Sequence, residues 1–280
     1  MQSFKATMLA ALLVLLTTPA PALVLPEIAE MTPHRAVYDI TLGDAKSSAG
    51  VSDVKGRLVF EFTGSPCEGY AQTLRFVMSI TDREGTTTLS DLRSTTWEDA
   101  ESKSFKFDIE NLENQETKEA ATGTATRDAA GGIEVKLSKP AAAKATFPGP
   151  VLFPLQHTAT LLAAAKRGEH RVDVGVFDGS ELGQKVFTTG TAIGKPAIGD
   201  ESELAGVANT ERLQHQPSWP MTVAYFPSTT GGGEGTPEHE MSFRLYPNGV
   251  IRSVKIDYGT LRLDGRLSKI EFLDQKTCGG

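Results

Sequence analysis

The chain has 280 residues, 39% hydrophobic and 22% charged, with a formal net charge of -7. A sequence pI near 5.4 argues against a nucleic-acid role, which needs a basic face for the phosphates, and acids and bases are interspersed rather than blocked. Two cysteines exclude a disulfide-dense scaffold, and the lack of a repeat of fixed period excludes a solenoid or propeller.

The first residues carry Lys5, then an apolar run from Ala6 to Leu16, then Ala20-Pro21-Ala22. This order is that of a secretory signal peptide, removed as residues 1–22 by cleavage after Ala22. The apolar run is well short of the roughly 20 residues a bilayer-spanning helix needs, so the mature protein is expected to be soluble, without a transmembrane segment. From His34 onward the pattern has period two. Ala36, Tyr38, Ile40 and Leu42 share one parity; Leu58, Phe60 and Phe62 repeat it, as do Leu74, Phe76, Met78 and Ile80. Phe105, Phe107 and Ile109, then Ile133, Val135 and Leu137, continue the alternation. Strict alternation marks strands with one buried and one wet face, the habit of antiparallel sheets. Residues 23–140 are read as the N-terminal half of one large sheet.

"SKPAAAKATFPGP" is the expected seam, and residues 141–280 are read as a helix plus the C-terminal half of the sheet. The helix is expected near 154–167: Pro154 suits a first turn, Thr158, Leu161, Leu162 and Ala165 recur at helical spacing, and Gly168 follows a basic last turn. Val172, Val174 and Val176 form the next strand. Asp178-Gly179-Ser180-Glu181 then reads as a hairpin turn in preference to a polar or metal site. "GKPAIGDESELAGVANT" and the glycine-rich "PSTTGGGEGTPEHE" read as mobile loops. Asn248-Gly249 is a strong hairpin signal before Val254, Ile256 and Tyr258. Asp264-Gly265 lies inside a run where Leu261, Leu263 and Leu267 keep one parity, which suggests a bulge within a strand that continues through Ile270 and Phe272. So many strands with a single helix predict a mainly β fold, a large curled antiparallel sheet with a concave side. Periodicity does not say whether that side is filled or open.

Chemistry-bearing motifs are missing from the sequence. His34, His157, His170, His215 and His239 stand in unlike contexts, and Phe243 occupies the place a second zincin histidine would take after His239-Glu240. There is no nucleophile elbow, P-loop or C-x-x-C. His157 reads as a histidine packed beside the sheet, and Trp97 and Trp219 as ordinary core aromatics. No catalytic, metal or cofactor residues are assigned. The two cysteines admit one intramolecular pairing, Cys67 with Cys278, which an exporting context favours.

The segments "HTATLLAAAKRGE" and "VDVGVFDGSELGQKVF", with "SWPMTVAYFP", "YPNGVIRSVKIDYG" and the Cys67/Cys278 pair, resemble the EipB family of alphaproteobacterial cell-envelope integrity proteins. The resemblance implies a periplasmic protein whose antiparallel β-spiral cups a helix, with Cys67 bonded to Cys278. It also implies a role in envelope integrity under stress, a link to a periplasmic tetratricopeptide-repeat partner, and a sheet architecture similar to lipoprotein-carrier folds, with no enzymatic activity. A non-enzymatic factor that binds a protein partner or a lipid or lipoprotein component is therefore expected. The rival is an unrecognised envelope hydrolase or transferase, which needs converging His, Asp or Ser groups. The mature N-terminus is expected at Leu23, with the product released by osmotic shock. N-terminal sequencing checks this, and an intact Met1 in the membrane pellet would overturn it.

Overall fold

The structure, a computed structural model, describes residues 31–198, 201–227 and 235–275. The signal segment 1–22, residues 228–234 of the glycine-rich loop and Cys278 lie outside the described residues. The strands are β1 (His34–Ala45), β2 (Val51–Ser65), β3 (Gly69–Asp82), β4 (Thr87–Glu98), β5 (Ser104–Glu113), β6 (Glu116–Arg127), β7 (Ile133–Lys139), β8 (Ala143–Phe147) and β9 (Val151–Leu152). Helix α1 (Pro154–Lys166) follows, then β10 (Arg171–Val176), β11 (Phe187–Ile193), β12 (Ala197–Ile198), β13 (Pro217–Pro227), β14 (His239–Leu245), β15 (Ile251–Asp257) and β16 (Leu261–Phe272).

The strand order is β8-β7-β6-β5-β4-β3-β2-β1-β16-β15-β14-β13-β11-β10-β9, with β12 paired to β13 beside this path. Adjacent strands are antiparallel except the short parallel pair β9–β10. The fold is therefore the expected curled antiparallel sheet with one main helix. The alternation read from sequence maps onto it directly: Ala36, Tyr38 and Ile40 are buried, as are Ile133, Val135 and Leu137, while Glu134 and Lys136 face solvent. The outer face carries cross-strand ion pairs, Arg57 to Asp39 at 3.0 Å and Arg75 to Asp91 at 2.9 Å. The Arg57–Asp39 pair is exposed and contributes little stability, whereas the Asp91 carboxylate is buried beneath Arg75.

The spiral closes where its β9 edge folds over the inner face of β5–β7. Phe153 stacks on Phe105 at 5.0 Å, and Phe177 stands edge-on to Phe105 at 6.0 Å and to Phe107 at 5.6 Å. The Asp178-Gly179-Ser180-Glu181 stretch belongs to this closure and is not the tight hairpin expected from its Asp-Gly. The connection runs from Phe177 to Val186, and both of these end residues are buried in the β5–β7 cluster. Asp178 Oδ1 accepts the Ser180 N–H at 2.9 Å, and Gly179 and Gly183 have φ of 81° and 67°. A Cβ on Gly179 would sit 2.7 Å from the Phe107 ring, and one on Gly183 2.7 Å from Leu137 Cδ2. Close approach, with positive φ, explains both glycines.

Two other expectations need correction. Gly265 lies within one strand but marks no bulge: it pairs with Ile40 and Val254, and a Cβ there would meet Val254 at 2.6 Å. The register shifts of the β1–β16 pair fall instead at Val37/Tyr38 and at Leu42/Asp44. The "GKPAIGDESELAGVANT" stretch is not simply a loose loop, because Leu204 is buried in the main core together with nearby Leu213, and the Asn209 amide donates to Ile270 O at 3.1 Å. The seam segment contains the terminal strand β8, and the Asn248-Gly249 turn is as expected, with Gly249 at φ 83°.

Helix α1 begins with Pro154 at its first position and stops at Gly168, whose φ is 76°. Leu155 and Ala159 pack with Phe62 and Tyr70; Leu161, Leu162 and Ala165 pack with Trp219, Met221 and Leu245. The helix thus fills part of the concave side from within.

The register also bears on the expected cysteine tie. β2 and β16 flank β1 and run in the same direction, with His34 opposite Phe62 on one side and Phe272 on the other. Cys67, in the exposed turn after β2, therefore lies at the rim toward which β16 also runs. That common exit supports pairing with Cys278. Cys67→Ser, Cys278→Ser and the double change are expected to lower stability alike, by about a few kcal/mol at most, and to lower the melting temperature with it. Melting with and without reductant checks this, and identical curves would remove the tie.

Candidate functional site

The cross-strand ladder sets three concave rows on β1, β2 and β3: His34–Phe62–Gln72, Ala36–Phe60–Leu74 and Tyr38–Leu58–Phe76. Successive rows are two residues apart, so the first and third are about 13 Å apart along the strands. The curl brings Met241 of β14 and Val254 of β15 to these rows, while Leu155 and Thr158 of α1 approach them from the helix. Between them is a partly open cavity of about 190 Å³. Among the described residues lining it there is no Asp, Glu, Lys or Arg. Leu58, Phe60, Leu74 and Met241 remain only partly buried, because the helix fills one part of the concave side and leaves this part unfilled. The concave face is thus both filled and open.

Few polar groups reach this cavity, and most are engaged. The Tyr38 hydroxyl donates to Ile251 O at 2.6 Å, and burial holds its pKa above the ordinary tyrosine value. The Thr158 hydroxyl donates to Pro154 O at 3.1 Å. His34 Nδ1 lies 2.7 Å from Thr32 O, and burial lowers its pKa, opposed by that hydrogen bond. Gln72 lines the cavity in the same row as His34.

The helix that roofs the cavity is fixed by a buried polar junction. Glu98, at the end of β4, accepts the Leu155 N–H at 2.6 Å and the Gln156 N–H at 3.4 Å. It caps the first turn of α1 from another strand, because Phe153 in the N-cap position has no side chain able to do so. Arg127 of β6 donates to Ser102 O at 2.8 Å and to Gln156 Oε1 at 2.8 Å, also reaches Val151 O, and lies 4.6 Å over the Phe153 ring. Burial pushes the Glu98 pKa up to about 8, against the two backbone donors and the Arg127 charge, which lower it.

The histidines singled out in sequence have unlike surroundings in the fold. His157 is buried in α1, with its pKa lowered to about 4 by burial. His239 stacks on Tyr225 at 4.4 Å and feels the charge of Asp178, a proximity that sequence separation concealed. His170 meets Ile193 O at 3.3 Å. Among the described residues no three His, Cys, Asp or Glu side chains form a metal-binding group, and no helix is long and apolar enough to cross a membrane. Trp219 is buried beside α1, whereas Trp97 is only half-buried, its indole N–H donating to Glu68 O at 3.0 Å. What the sequence concealed here is the Glu98–Arg127 junction and the unfilled cavity.

These features define a class: a barrel-like, spirally curled β protein with an internal helix and an apolar cavity beside it. The chain belongs to the EipB-like family, whose model matches residues 26–274. It is 34% identical over 246 residues to the cell envelope integrity protein EipB of Brucella abortus, covering 87% of this chain and 85% of that one. A crystal structure described as a beta-barrel-like protein from Brucella abortus superposes with a TM-score of 0.81 at 33% identity, covering 87% of this chain and 99% of that one. A relative in this family is thus named for cell-envelope integrity.

The Glu98 junction generates a pH dependence. Its folded pKa, about 8, lies above the ordinary value of 4.5, so its contribution is complete below pH 4.5 and is lost as pH rises through 8. Wild-type stability is expected to fall relative to Glu98→Gln as pH rises from 4.5 to 8, by at most ~1.4 kcal/mol per pH unit, and to level off above 8. Urea unfolding of both proteins across that range checks this, and parallel pH profiles would overturn it.

Proposed function

We propose that the protein maintains cell-envelope integrity by non-enzymatic binding: it holds an apolar chain from a lipid-bearing envelope component in the cavity between β1–β3, β14–β15 and α1. The observation that carries this reading is a partly open cavity without charged lining among the described residues. Leaving Leu58, Phe60, Leu74 and Met241 incompletely buried forgoes stability that closer packing would provide, at about 25 cal/mol per Å² of apolar surface. An apolar ligand recovers that burial. For scale, a dry cavity of about 150 Å³ is enough to take up benzene.

The export pattern at residues 6–22 supports a periplasmic location, where lipid-bearing substrates are at hand. The relative's role in envelope integrity supports the same setting. The scattered placement of the histidines supports binding over hydrolysis or group transfer. The tetratricopeptide-repeat protein implied by family resemblance belongs to this reading as a proposed partner.

The test fills the cavity. Leu74→Trp is expected to weaken binding of the apolar fluorophore 1-N-phenylnaphthylamine by at least about tenfold, while leaving the fold intact by circular dichroism. Lipid extracted from protein isolated from periplasm should fall in parallel. Unchanged fluorophore binding in the filled variant would overturn the reading. Loss of envelope function with an unchanged lipid content would favour a protein partner instead.

A further inference from the structure

The cavity that the proposed function uses has apolar walls but one polar row, and that row is informative about the ligand. His34 and Gln72 are separated by Phe62, so their Cα atoms are about 10 Å apart, two strand spacings. The Thr32 carbonyl only accepts, so at 2.7 Å it places the hydrogen of a neutral His34 ring on Nδ1. Nε2 is then a lone-pair acceptor in a residue that lines the cavity. Burial of the ring favours this neutral form. Gln72 adds an amide with both donors and an acceptor in the same row. The Tyr38 and Thr158 hydroxyls have already given their protons to Ile251 O and Pro154 O, so neither is a free donor to a ligand.

Resting on that binding reading, we infer that the cavity selects an amphiphile whose apolar chain ends in an uncharged hydrogen-bond donor, an alcohol or an amide, and that His34 and Gln72 recognise this end group. A hydroxyl placed across Phe62 donates to His34 Nε2 and accepts from the Gln72 amide. Its chain then runs past Leu74 and Leu58 towards Met241 and Val254. An ionised carboxylate has no proton for Nε2 and meets no cation among the described lining residues. Such a charge loses its hydration without a compensating partner.

The experiment displaces 1-N-phenylnaphthylamine from the purified mature protein at neutral pH with four probes: 1-decanol, decanamide, decyl methyl ether and decanoate. Decanol and decanamide are expected to bind about five- to tenfold tighter than the ether, which lacks the donor. Decanoate is expected to bind weakest. Gln72→Leu and His34→Phe should each bring decanol to within about twofold of the ether, both affinities being taken relative to that variant's own fluorophore affinity. Gln72 is partly exposed, so its variant is a folded control if the buried His34 does not tolerate change. If fluorophore and ether bind but decanoate equals decanol, or if the decanol advantage survives in both variants, selection by His34 and Gln72 is wrong and the cavity reading stands. If neither the fluorophore nor any decyl compound binds, the cavity reading falls, and this inference with it.

Discussion

The fold depends on how its sheet comes to an end. An open sheet of this many strands exposes two edges, and its inner face stays wet unless something covers it. Here the β9 edge turns inward and lays Phe153 and Phe177 on Phe105 and Phe107. Closure comes from stacked side chains, supplemented by the Val151 N–H bond to Gly131 O at 3.1 Å. Because α1 starts immediately after this contact, aromatic closure also sets where the helix enters the spiral. Glu98 and Arg127 then fix its first turn, at the cost of burying a carboxyl and a guanidinium, and such groups are tolerated only when hydrogen-bonded throughout.

The cavity follows from that placement. Along one half of its length α1 meets large side chains such as Trp219 and Met221, and the space is full. Near its first turns it presents Leu155, Thr158 and Ala159 to a wall whose nearest members belong to β1–β3. The geometry of one short helix inside a wide curl cannot fill both ends equally. A spiral in which closure is made by side chains can hold such a space without breaking any ladder hydrogen bond.

The sequence made the most of its fold visible where concave positions are large and apolar. The alternation of β1, β3, β5 and β7 could be read directly, and so could α1, because Pro154 and Gly168 bracket it. Three of the strands that escaped notice have inner positions that are small or hydroxylated. β6 presents Ala121, Gly123 and Ala125 because Phe107 and Leu137 press against it, and a Cβ on Gly123 would lie 2.7 Å from Phe107. β11 buries Thr189 and Thr191, and β4 places Ser90, Ser94 and Thr96 in its inner row, so no hydrophobic period appears. The cavity was hidden for another reason. Its lining residues look in sequence like any core residue, and only the separation of α1 from β2 and β3 shows that they are not fully covered. The Glu98–Arg127 junction joins residues far apart in the chain, with no motif to announce it.

The strand order has one more consequence. Both edges of the sheet, β8 and β9, are neighbours in the chain, whereas β1 and β16, the outermost strands in sequence, pair at the centre. Opened between β8 and β9 and joined across β16 to β1, the same sheet would be a plain meander of successive neighbours from β9 round to β8. The natural connectivity is thus a rotated version of the simplest possible topology, and a single ladder carries nearly all its sequence-distant pairing. Folding rates fall as contacts become more distant in sequence, so this one seam sets the pace. Two meanders, β1 to β8 and β9 to β16, can form from local pairings alone, yet neither has a complete interior. The wall that holds Tyr38 and the wall that holds Val254 meet only when β16 pairs with β1, so the cavity between them forms only once that ladder is in place.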